Sequence, residues 1–480
     1  MKIFLIFCNS LYELSYLKKK YNINLKEEFG LIQLIEHPCH FTKYNFGKTN
    51  LCYHKSTMLE YKDYLVANKI KVEYIDIIKF NINNFYKKIH KYYCIDPLDY
   101  ELNGQLEKNG VKIFENKNFL LSYTEHINIY KNSKNIRFTT FYNTIKEKYN
   151  FRYKSMDTKN RLSFPKNKVS QIPDRIENMV KYNNDKKNIQ EAKKYININF
   201  KDNPPYYEYD IPIILPINHK DSNKYFNNFL DNYALKDFSD YQDAIISPNS
   251  SLSGALLLFH SGISASLNNG LITLDVILDL VFDKYKYNQT KNIEFIRIVE
   301  NLFRQFSFRE YQLYCFINDN IYKQALSDNY LGCENKLNKN LYTGTTNIKI
   351  LDDFIKLAFH YGYTHHIIRL MVFSIYFLFK EIHPKYVVQW MTEFSCDSYE
   401  FIMIGNIYFM CYSNSVDDKF GFNKSYIHSS NYLKKMSIGY SNEDFGNWDI
   451  LFNNFIKKKY NKLKIFNARM PFLKKKKLLS

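Results

Sequence analysis

Two serines near the middle of the chain could bind an anion. Ser261 and Ser264 lie three residues apart in His260–Gly270, at what the sequence predicts to be the start of a helix. In that arrangement both hydroxyls and the free first-turn amides point the same way, which suits a phosphate group. The alternative is an ordinary helix N-cap, and spacing alone favours that interpretation.

A pair of neighbouring histidines could transfer a proton. On a helix, His365 and His366 lie four and three residues before Arg369, so the guanidinium lies beside both imidazoles. A nearby cation lowers the pKa of a histidine, which would tune it as a proton donor or acceptor near neutral pH. Single histidines on apolar helices are more often structural. Two beside an arginine favour a function without deciding it.

Two polar residues are embedded in the apolar run Phe394–Met410. An unpaired carboxylate in such surroundings is costly, so Asp397 needs a cationic or hydrogen-bonding partner. Either Arg369 or a ligand could supply that partner. Asn406 is likewise a polar group within the run. The alternatives are a structural ion pair for Asp397 and a capping role for Asn406.

The elements that must position these segments are of two kinds. Short apolar runs at Ile3–Phe7, Leu31–Ile35 and Val72–Ile75 predict strands, and Thr57–Ala67 has the spacing of a helix. Alternating short strands and helices predict a parallel sheet with helices packed on it. We therefore expect an N-terminal, Rossmann-like α/β domain over residues 1–130.

The remainder of the chain divides into a connector and a helical domain. Residues 131–215 are rich in Lys, Asn and Pro and predict a long connector with some local structure but no core. Residues 216–480 predict a large all-α domain, because long apolar segments there have i, i+3, i+4 spacing. These segments are Leu252–Phe282, Ile293–Phe316, Leu351–Phe379 and Tyr386–Met410.

Composition limits the class of protein. A hydrophobic fraction of 45%, with 18% aromatic residues, excludes a disordered chain, and only 14 Gly and 11 Pro argue against a collagen-like one. The 67 basic and 48 acidic residues give a net charge of +19, which favours a polyanionic partner such as nucleic acid or an acidic membrane face. AT-rich codons could produce the same balance, and composition alone gives the two explanations equal weight.

The cysteines indicate a reducing compartment. None of the eight forms a C-x-x-C, and no Cys/His group has zinc spacing, so we expect buried thiols in an intracellular protein. Met1–Cys8 predicts a buried strand rather than a signal peptide, and Ile367–Phe379 is too short to span a bilayer. The expectation is a soluble protein of the cytoplasm, the nucleus or a virion.

Five motifs in collinear order resemble one known family. They are S-x-x-S-x-x-L-x-x-G from Ser261, F-R-E-Y from Phe308, Y-T-G from Tyr342, H-H-I-x-R-L-M from His365 and D-x-Y-E-F-x-M-x-x-N from Asp397. Together they resemble the cryptochrome/photolyase flavoproteins. The similarity is greatest to the photolyase-related proteins, also called iron–sulfur bacterial cryptochromes and photolyases. It extends over nearly the whole chain, and H-H-I-x-R-L-M is its most specific part.

This resemblance implies a U-shaped FAD in the helical domain. The segment from Ser261 to Leu267 would lie at the pyrophosphate, and Arg369, Asp397 and Asn406 would surround the ribityl chain and the isoalloxazine, together with His365. The full set of implied cofactor-binding residues is Ser261, Gly262, Ile263, Ser264, Leu267, Glu310, Tyr311, Arg369, Asp397 and Asn406. A second, antenna chromophore of unknown identity could also be present.

The resemblance also implies a reaction on DNA that carries ultraviolet lesions. In the family, light excites reduced FAD, which passes an electron to a pyrimidine photoproduct flipped out of the duplex. In the (6-4) subgroup a histidine supplies a proton, and His366 is our candidate, with His365 as its partner. The implied lesion-binding residues are Asp157, Arg161, Phe308, Tyr426 and Tyr432. We expect a monomer that does not bind membranes.

The sequence departs from the family in two places: the ligands of the iron–sulfur cluster and the tryptophan relay that supplies electrons to the flavin. The C-x-x-C and the later Cys-Pro of the iron–sulfur cluster are missing, and its fourth ligand position is Ile350, so we predict no cluster and no metal. The usual three-tryptophan relay cannot form with Trp390 and Trp448 alone. A relay through Trp390 and tyrosines such as Tyr342 or Tyr399 is an alternative.

Three functions therefore compete. Light-driven DNA repair leads, with (6-4) photoproducts favoured by the histidine pair. A blue-light photoreceptor of the cryptochrome type, without repair, is second. A flavin-free DNA-binding or structural descendant is third, and the retention of polar residues in an apolar pocket argues against it.

Overall fold

A five-stranded parallel sheet forms the core of the N-terminal part. The computed structural model describes residues 1–81, 86, 89–132, 136–150, 163–234, 241–286, 291–318, 322–323, 326–327, 329–412, 420–421 and 426–463. The strands are β1 (Lys2–Ile6), β2 (Leu31–Ile35), β3 (Val72–Ile75), β4 (Lys91–Ile95) and β5 (Lys112–Phe114). Their order is β3-β2-β1-β4-β5.

The apolar run of β1 explains its central place. Ile3, Phe4, Leu5 and Ile6 are all buried, as expected for a strand covered on both faces. All three predicted strands are present, whereas β4 and β5 were not predicted, since their short runs begin with lysine and are flanked by polar residues. The α/β fold class is confirmed.

Helices make up most of the remainder. The α-helices among the described residues are Leu14–Tyr21, Leu25–Glu28, Pro38–Phe41, Lys48–Ala67, Tyr100–Lys108, Tyr123–Asn132, Phe138–Lys148, Arg175–Asn184, Lys187–Asn199, His219–Asn232, Leu252–Leu256, Ser264–Asn269, Leu274–Tyr285, Ile293–Ile317, Asn340–Thr343, Lys349–Tyr361, Ile375–Phe379, Pro384–Phe394, Glu400–Ile404, Ser430–Met436 and Trp448–Leu463. Short 3₁₀ helices span Lys166–Gln171 and Glu443–Phe445, and two-residue strand pairs join Ile136–Arg137 to Phe420–Gly421 and Ile245–Ile246 to Ser437–Ile438.

The predicted connector is structured. Its helix Lys187–Asn199 packs against the long helix Lys48–Ala67 of the N-terminal domain. The apolar face of that connector helix is fully buried at Ile189, Ala192 and Ile196. The expectation that residues 131–215 lack a core was therefore wrong. One apolar face at i, i+3, i+7 suffices for packing, although lysine and asparagine dominate the composition.

The long apolar segments of the second half are interrupted. The predicted Leu252–Phe282 helix is three helices, and two other segments change to wider π-helical turns at Ile368–Ser374 and Gly405–Cys411. Such π-helical turns occur often at functional sites. Arg369 lies in the first and Asn406 in the second, so both predicted site residues lie where the helix is widened.

All eight cysteines are free and buried, as expected. Over the ranges given above, no helix is long and apolar enough to cross a membrane.

Candidate functional site

A cavity of about 1080 Å³ lies within the helical part. This volume is at the upper end for small-molecule sites and is suited to a cofactor. The predicted residues that line it are Ser261, Gly262, Ile263, Ser264, Leu267, Phe308, His366, Arg369, Asp397, Asn406, Tyr426 and Tyr432. Residues more than 160 positions apart in sequence thus lie around one space.

A backbone reversal at Gly262 shapes one wall. Gly262 has φ +68°, and a Cβ there would lie 2.6 Å from the Tyr225 hydroxyl. From behind the wall, the buried guanidinium of Arg175 donates to the His260 and Ser261 carbonyls at 2.8 and 3.2 Å. The loop is therefore held in one conformation, with its following amides beside the cavity. Sequence reasoning missed Arg175 because it lies in the predicted connector.

The two serines do not form an ordinary N-cap. The helix Ser264–Asn269 is short, and its N-cap residue, Ile263, makes no side-chain capping bond. Instead, the Ser264 hydroxyl donates to Asp397 Oδ2 at 2.5 Å. The hydroxyl of Ser264 therefore has a tertiary partner, whereas that of Ser261 accepts the nearby Ile263 N–H at 3.4 Å.

Asp397 is the centre of a buried polar network. Its Oδ1 accepts from Arg369 Nη1 at 2.8 Å and from the Ser395 hydroxyl. Burial by itself would raise the pKa of Asp397, but the Arg369 cation and the hydrogen bonds from Arg369, Ser264 and Ser395 lower it below its ordinary value. The carboxylate is therefore ionised at neutral pH, and its predicted cationic partner is Arg369.

The guanidinium of Arg369 keeps one donor for a ligand. Its Nε donates to the Thr364 carbonyl at 2.8 Å and its Nη1 to Asp397, whereas its buried Nη2 has no hydrogen-bond partner among the described residues. Leaving a buried charged donor unpaired costs free energy. Because Arg369 lines the cavity, a ligand oxygen there would satisfy Nη2.

The second widened turn presents an amide to the same cavity. Gln312 Nε2 donates to Asn406 Oδ1 at 2.6 Å. This bond fixes which way the Asn406 amide points. Gln312 comes from the helix Ile293–Ile317 and also lines the cavity, although sequence reasoning did not select it.

Three imidazoles meet at the cavity wall. His260 and His365 stack at 4.8 Å, and His366 lies edge-on to His260 at 5.1 Å. His260 Nε2 faces the Gln242 carbonyl at 3.0 Å, which identifies that nitrogen as protonated. Burial, and then the neighbouring His260, His366 and Arg369, lower the pKa of His365 well below its ordinary value. His365 is buried behind the wall, and His366 is exposed to the cavity.

Aromatic residues line another part of the cavity. Phe308 stacks on Phe138 at 3.9 Å with nearly parallel rings. Tyr432 packs on the His428 imidazole at 4.6 Å. Tyr426 also lines the space. Flat rings at a cavity wall provide faces against which a base can stack.

Two predicted cofactor residues lie outside the cavity wall. The buried Glu310 carboxylate accepts the backbone N–H groups of Leu120 and Leu121 at 2.7 and 3.2 Å, and Tyr311 is buried beside it. They point away from the cavity because successive helical residues point about 100° apart, and their role as cofactor residues stays a prediction. Phe308 and Arg309 face the cavity, whereas Glu310 fixes the segment that follows the sheet.

The predicted relay residues separate into two groups. Trp390 is fully buried among phenylalanines, and Phe359 contacts both Trp390 and Tyr342 at centroid distances of 5.6 Å. Tyr399 instead donates to Asn269 and packs against His40 at 5.7 Å, beside the N-terminal domain. Of the two tyrosines, Tyr342 is the one that a described ring contact, through Phe359, links to Trp390.

Other predicted positions carry less information. Asp157 and Arg161 lie outside the described residues. Ile350 is fully buried in the apolar core. No group of His, Cys, Asp or Glu within the described part of the chain is placed to hold a metal ion. The loss of the iron–sulfur cluster stays a prediction.

A second cavity of about 720 Å³ lies near the carboxyl ends of the parallel strands. Its lining includes His37, Cys39, Lys43 and Glu101. Ligands of open α/β sheets commonly bind at this edge.

Three comparisons relate the chain to known proteins. Residues 4–206 match the family model described as deoxyribodipyrimidine photo-lyase-related protein. A (6-4) photolyase of Agrobacterium fabrum is 29% identical over 223 residues, which are 45% of this chain and 40% of that protein. The uncharacterized proteins R853 and R855 of Acanthamoeba polyphaga mimivirus are each 42% identical, over 22% and 17% of this chain and 77% and 67% of their own lengths.

Two solved structures share the fold over nearly the whole chain. A bacterial class III photolyase from Agrobacterium tumefaciens matches 99% of this chain and 91% of its own, with TM-score 0.53 and 13% identity. An archaeal photolyase from Sulfolobus tokodaii, solved with two FAD molecules, matches 98% and 99%, with TM-score 0.51 and 14% identity. The fold and the cavity define a photolyase-type architecture. Together these matches support a protein of the cryptochrome/photolyase family.

Proposed function

We propose that this protein is a flavin-dependent photolyase that repairs ultraviolet lesions in DNA, with the (6-4) photoproduct as its substrate. The observation that carries the proposal is the single cavity, in which the Arg369–Asp397 pair, the serine loop and the exposed His366 face one space. The similarity to a (6-4) photolyase supports the choice of substrate.

The residues of the cavity fit FAD. Arg369 Nη2 is a buried donor without a partner among the described residues, and Ser261, Gly262, Ile263 and Ser264 line the same cavity. Arg369, Asn406 and the segment from Ser261 to Leu267 would hold the cofactor. When bound, FAD supplies the light-driven electron that splits the photoproduct.

The remaining groups orient and protonate the substrate. His366 is exposed to the cavity, so it can reach an oxygen of the lesion and donate a proton to it. His260 packs against the edge of His366 and fixes its orientation. Phe308, Tyr426 and Tyr432 offer aromatic faces to a flipped base, and extrusion of a damaged base is the least costly because its stacking is already weakened.

Charge supports DNA as the partner. Lys146 and Lys435 lie at the cavity, and the chain carries a net charge of +19. Lysines contact phosphates without regard to sequence, as a lesion-directed enzyme needs. If an antenna chromophore binds as well, the smaller cavity at the strand ends is its site.

The test combines spectroscopy with repair. The purified protein should show the absorption bands of bound flavin. Illumination should convert (6-4) photoproducts in oligonucleotides back to intact pyrimidines. Substituting His366→Ala should leave flavin bound but lower repair by about 100-fold or more, the contribution of a positioned general acid. His360→Ala, outside the cavity, serves as the matched control. A protein without flavin bands, or a His366→Ala variant with full repair, would contradict the proposal. Flavin with no repair at all would favour the photoreceptor.

A further inference from the structure

A buried glutamate is hydrogen-bonded to Tyr342, which is linked to Trp390 through the ring of Phe359. The Tyr342 hydroxyl donates to Glu393 Oε2 at 2.7 Å. The other carboxylate oxygen, Oε1, accepts the Asn45 backbone N–H at 3.1 Å and Gln389 Nε2 at 2.8 Å. Glu393 is fully buried, and every one of these partners is a donor. The carboxylate is therefore held in one position, with one oxygen directed at the phenol.

Aromatic rings connect this pair to the protein surface and to the cavity. Tyr206, which is 47% exposed, lies 6.4 Å from Tyr342. Phe359 lies between Tyr342 and Trp390, and the Trp390 indole donates to the carbonyl of Leu341 at 2.8 Å. The residue after Trp390, Met391, lines the cavity. A path of ring contacts thus leads from solvent to Trp390, which is the sequence neighbour of a residue in the cavity wall.

A tyrosine can replace a tryptophan as an electron donor only when its proton can leave. Oxidised phenol is a strong acid, so removing an electron from tyrosine is difficult unless a base accepts the phenolic proton at the same time. A general base must lie within hydrogen-bonding reach, about 2.6–3.2 Å. The Tyr342–Glu393 bond satisfies this requirement.

We propose that Glu393 is the proton acceptor that allows Tyr342 to supply an electron through Trp390 to the flavin site. This inference rests on the proposed function, because it requires a bound flavin that absorbs light. It assigns a role to Glu393, a residue that no sequence motif of the chain singles out.

The step balances with one electron and one proton. A bound, oxidised flavin would take one electron from Trp390 on illumination, and Tyr342 would then return one electron to the oxidised Trp390. In the same step the O–H bond of Tyr342 breaks and its proton bonds to Glu393 Oε2, leaving a neutral tyrosyl radical and a neutral carboxylic acid. A thiolate in solution gives one electron to the tyrosyl radical and becomes a thiyl radical, and Glu393 returns the proton to the Tyr342 oxygen.

The environment of Glu393 makes this transfer depend on pH. Burial raises its pKa to about 7, although the hydrogen bonds from Gln389, Tyr342 and Asn45 act in the opposite direction. The titratable groups that face it are the phenols of Tyr342 and Tyr206, and burial followed by the Glu393 charge raises the pKa of Tyr342. Above about pH 7 the carboxylate can accept the proton. Below about pH 7 the Glu393 carboxyl group is already protonated and cannot accept the proton of Tyr342.

The chain contains a matched control. Tyr322 donates to Glu400 Oε1 at 2.8 Å, and burial followed by the Asp99 charge raises the pKa of Glu400. This second tyrosine–glutamate pair is packed against Tyr100 and Phe316. It therefore has the same chemistry without the Trp390 neighbour.

The experiment compares holoprotein variants after a laser flash. Absorption spectra first establish that flavin is bound in wild type, Tyr342→Phe, Glu393→Gln and Glu400→Gln. Electron paramagnetic resonance then measures the tyrosyl radical. We expect a radical in wild type and Glu400→Gln and none from Tyr342→Phe. Its yield in Glu393→Gln should be on the order of 100-fold lower, the size of a positioned proton acceptor's contribution.

Infrared titration in the dark gives an answer without photochemistry. A carboxylic acid band should titrate at about pH 7 in wild type and be missing from Glu393→Gln. Equal radical yields in wild type and Glu393→Gln, a radical that survives in Tyr342→Phe, or titration of this band at an ordinary glutamate pKa of about 4.3 would overturn the inference. Lack of flavin in wild type would overturn the proposed function alone, and the infrared band would still test the state of Glu393.

Discussion

The molecule contains two buried ion pairs that look alike and differ in one donor. In the N-terminal domain, Lys55 Nζ lies 2.6 Å from Glu36 Oε1, and the same carboxylate accepts the Tyr74 hydroxyl and the Ile77 N–H. In the helical part, Arg369 lies 2.8 Å from Asp397. Both carboxylates are surrounded by donors.

The difference lies in the cation. Lys55 is enclosed, with its ammonium 3.6 Å from the centre of the Tyr195 ring. Arg369 lines a cavity and keeps its Nη2 without a partner among the described residues. A pair that is satisfied by its own neighbours contributes to the stability and specificity of the fold, whereas a pair with a spare donor can bind a ligand. The type of residue alone therefore does not identify a site, whereas an unpaired donor on a residue that lines a cavity points to one.

The largest expected effect comes from breaking each pair. Lys55→Met should lower the free energy of unfolding by about 3–5 kcal/mol, because it leaves a buried charge unpaired. Urea unfolding measures this loss, and the folded fraction should retain its flavin. Arg369→Met should cause a similar loss and also release the flavin.

The double variants then sharpen the contrast. In Lys55→Met with Glu36→Leu both charges are gone, so most of the stability should return. In Arg369→Met with Asp397→Leu stability should return while flavin binding does not. Equal flavin content in the two double variants would show that the distinction between the pairs is wrong.

An intermediate effect on stability should come from protonation of two buried histidines, His54 in the N-terminal domain and His365 in the helical part. Burial, and then His40, lowers the pKa of His54 to about 3, and His365 is likewise lowered. Above the unfolded pKa of about 6.5 these imidazoles are neutral in both states. Below it only the unfolded chain takes up protons, so stability falls as the pH decreases, by about 1.4 kcal/mol per pH unit for each histidine.

Thermal unfolding between pH 7 and pH 5 measures this dependence. The free energy of unfolding should depend less steeply on pH in His54→Phe and in His365→Phe, because each variant takes up one proton fewer on unfolding. Only the second should also disturb repair, since His365 packs behind the cavity wall and His54 packs beside Tyr53 and Tyr399. A slope unchanged in both variants would contradict the neutral, buried state of these residues.

The smallest effect concerns the loop behind the serine wall. Arg175→Lys keeps the charge but cannot reach the two carbonyls that Arg175 holds, at a cost of about 1 kcal/mol for the lost hydrogen bonds. Flavin retention during gel filtration should decrease while the overall melting temperature changes little. Full retention would indicate that the loop keeps its shape without Arg175.

Local patterns were sufficient for the elements with strong apolar runs. The strands Leu31–Ile35 and Val72–Ile75 have the predicted bounds, and the Arg369–Asp397 pair was one of two predicted partners. Patterns were insufficient where the direction of a side chain around its helix matters, as with Glu310. They were also insufficient where a helix is only partly apolar, as with Lys187–Asn199. In both cases the packing partner, not the local composition, decides which face is buried.

The sequence by itself determined the sheet, the helical second half, the resemblance to a family and several of the residues around the cavity, Arg369 and Asp397 among them. These follow from periodicity and from motifs of residues close together in the chain. Only the tertiary structure brought Arg175 behind the loop of Gly262, stacked His260 on His365, and joined Tyr342 to Glu393. Their partners lie 85, 105 and 51 positions away. Hydrogen bonds and ring contacts over such separations depend on how helices pack, which no local spacing specifies.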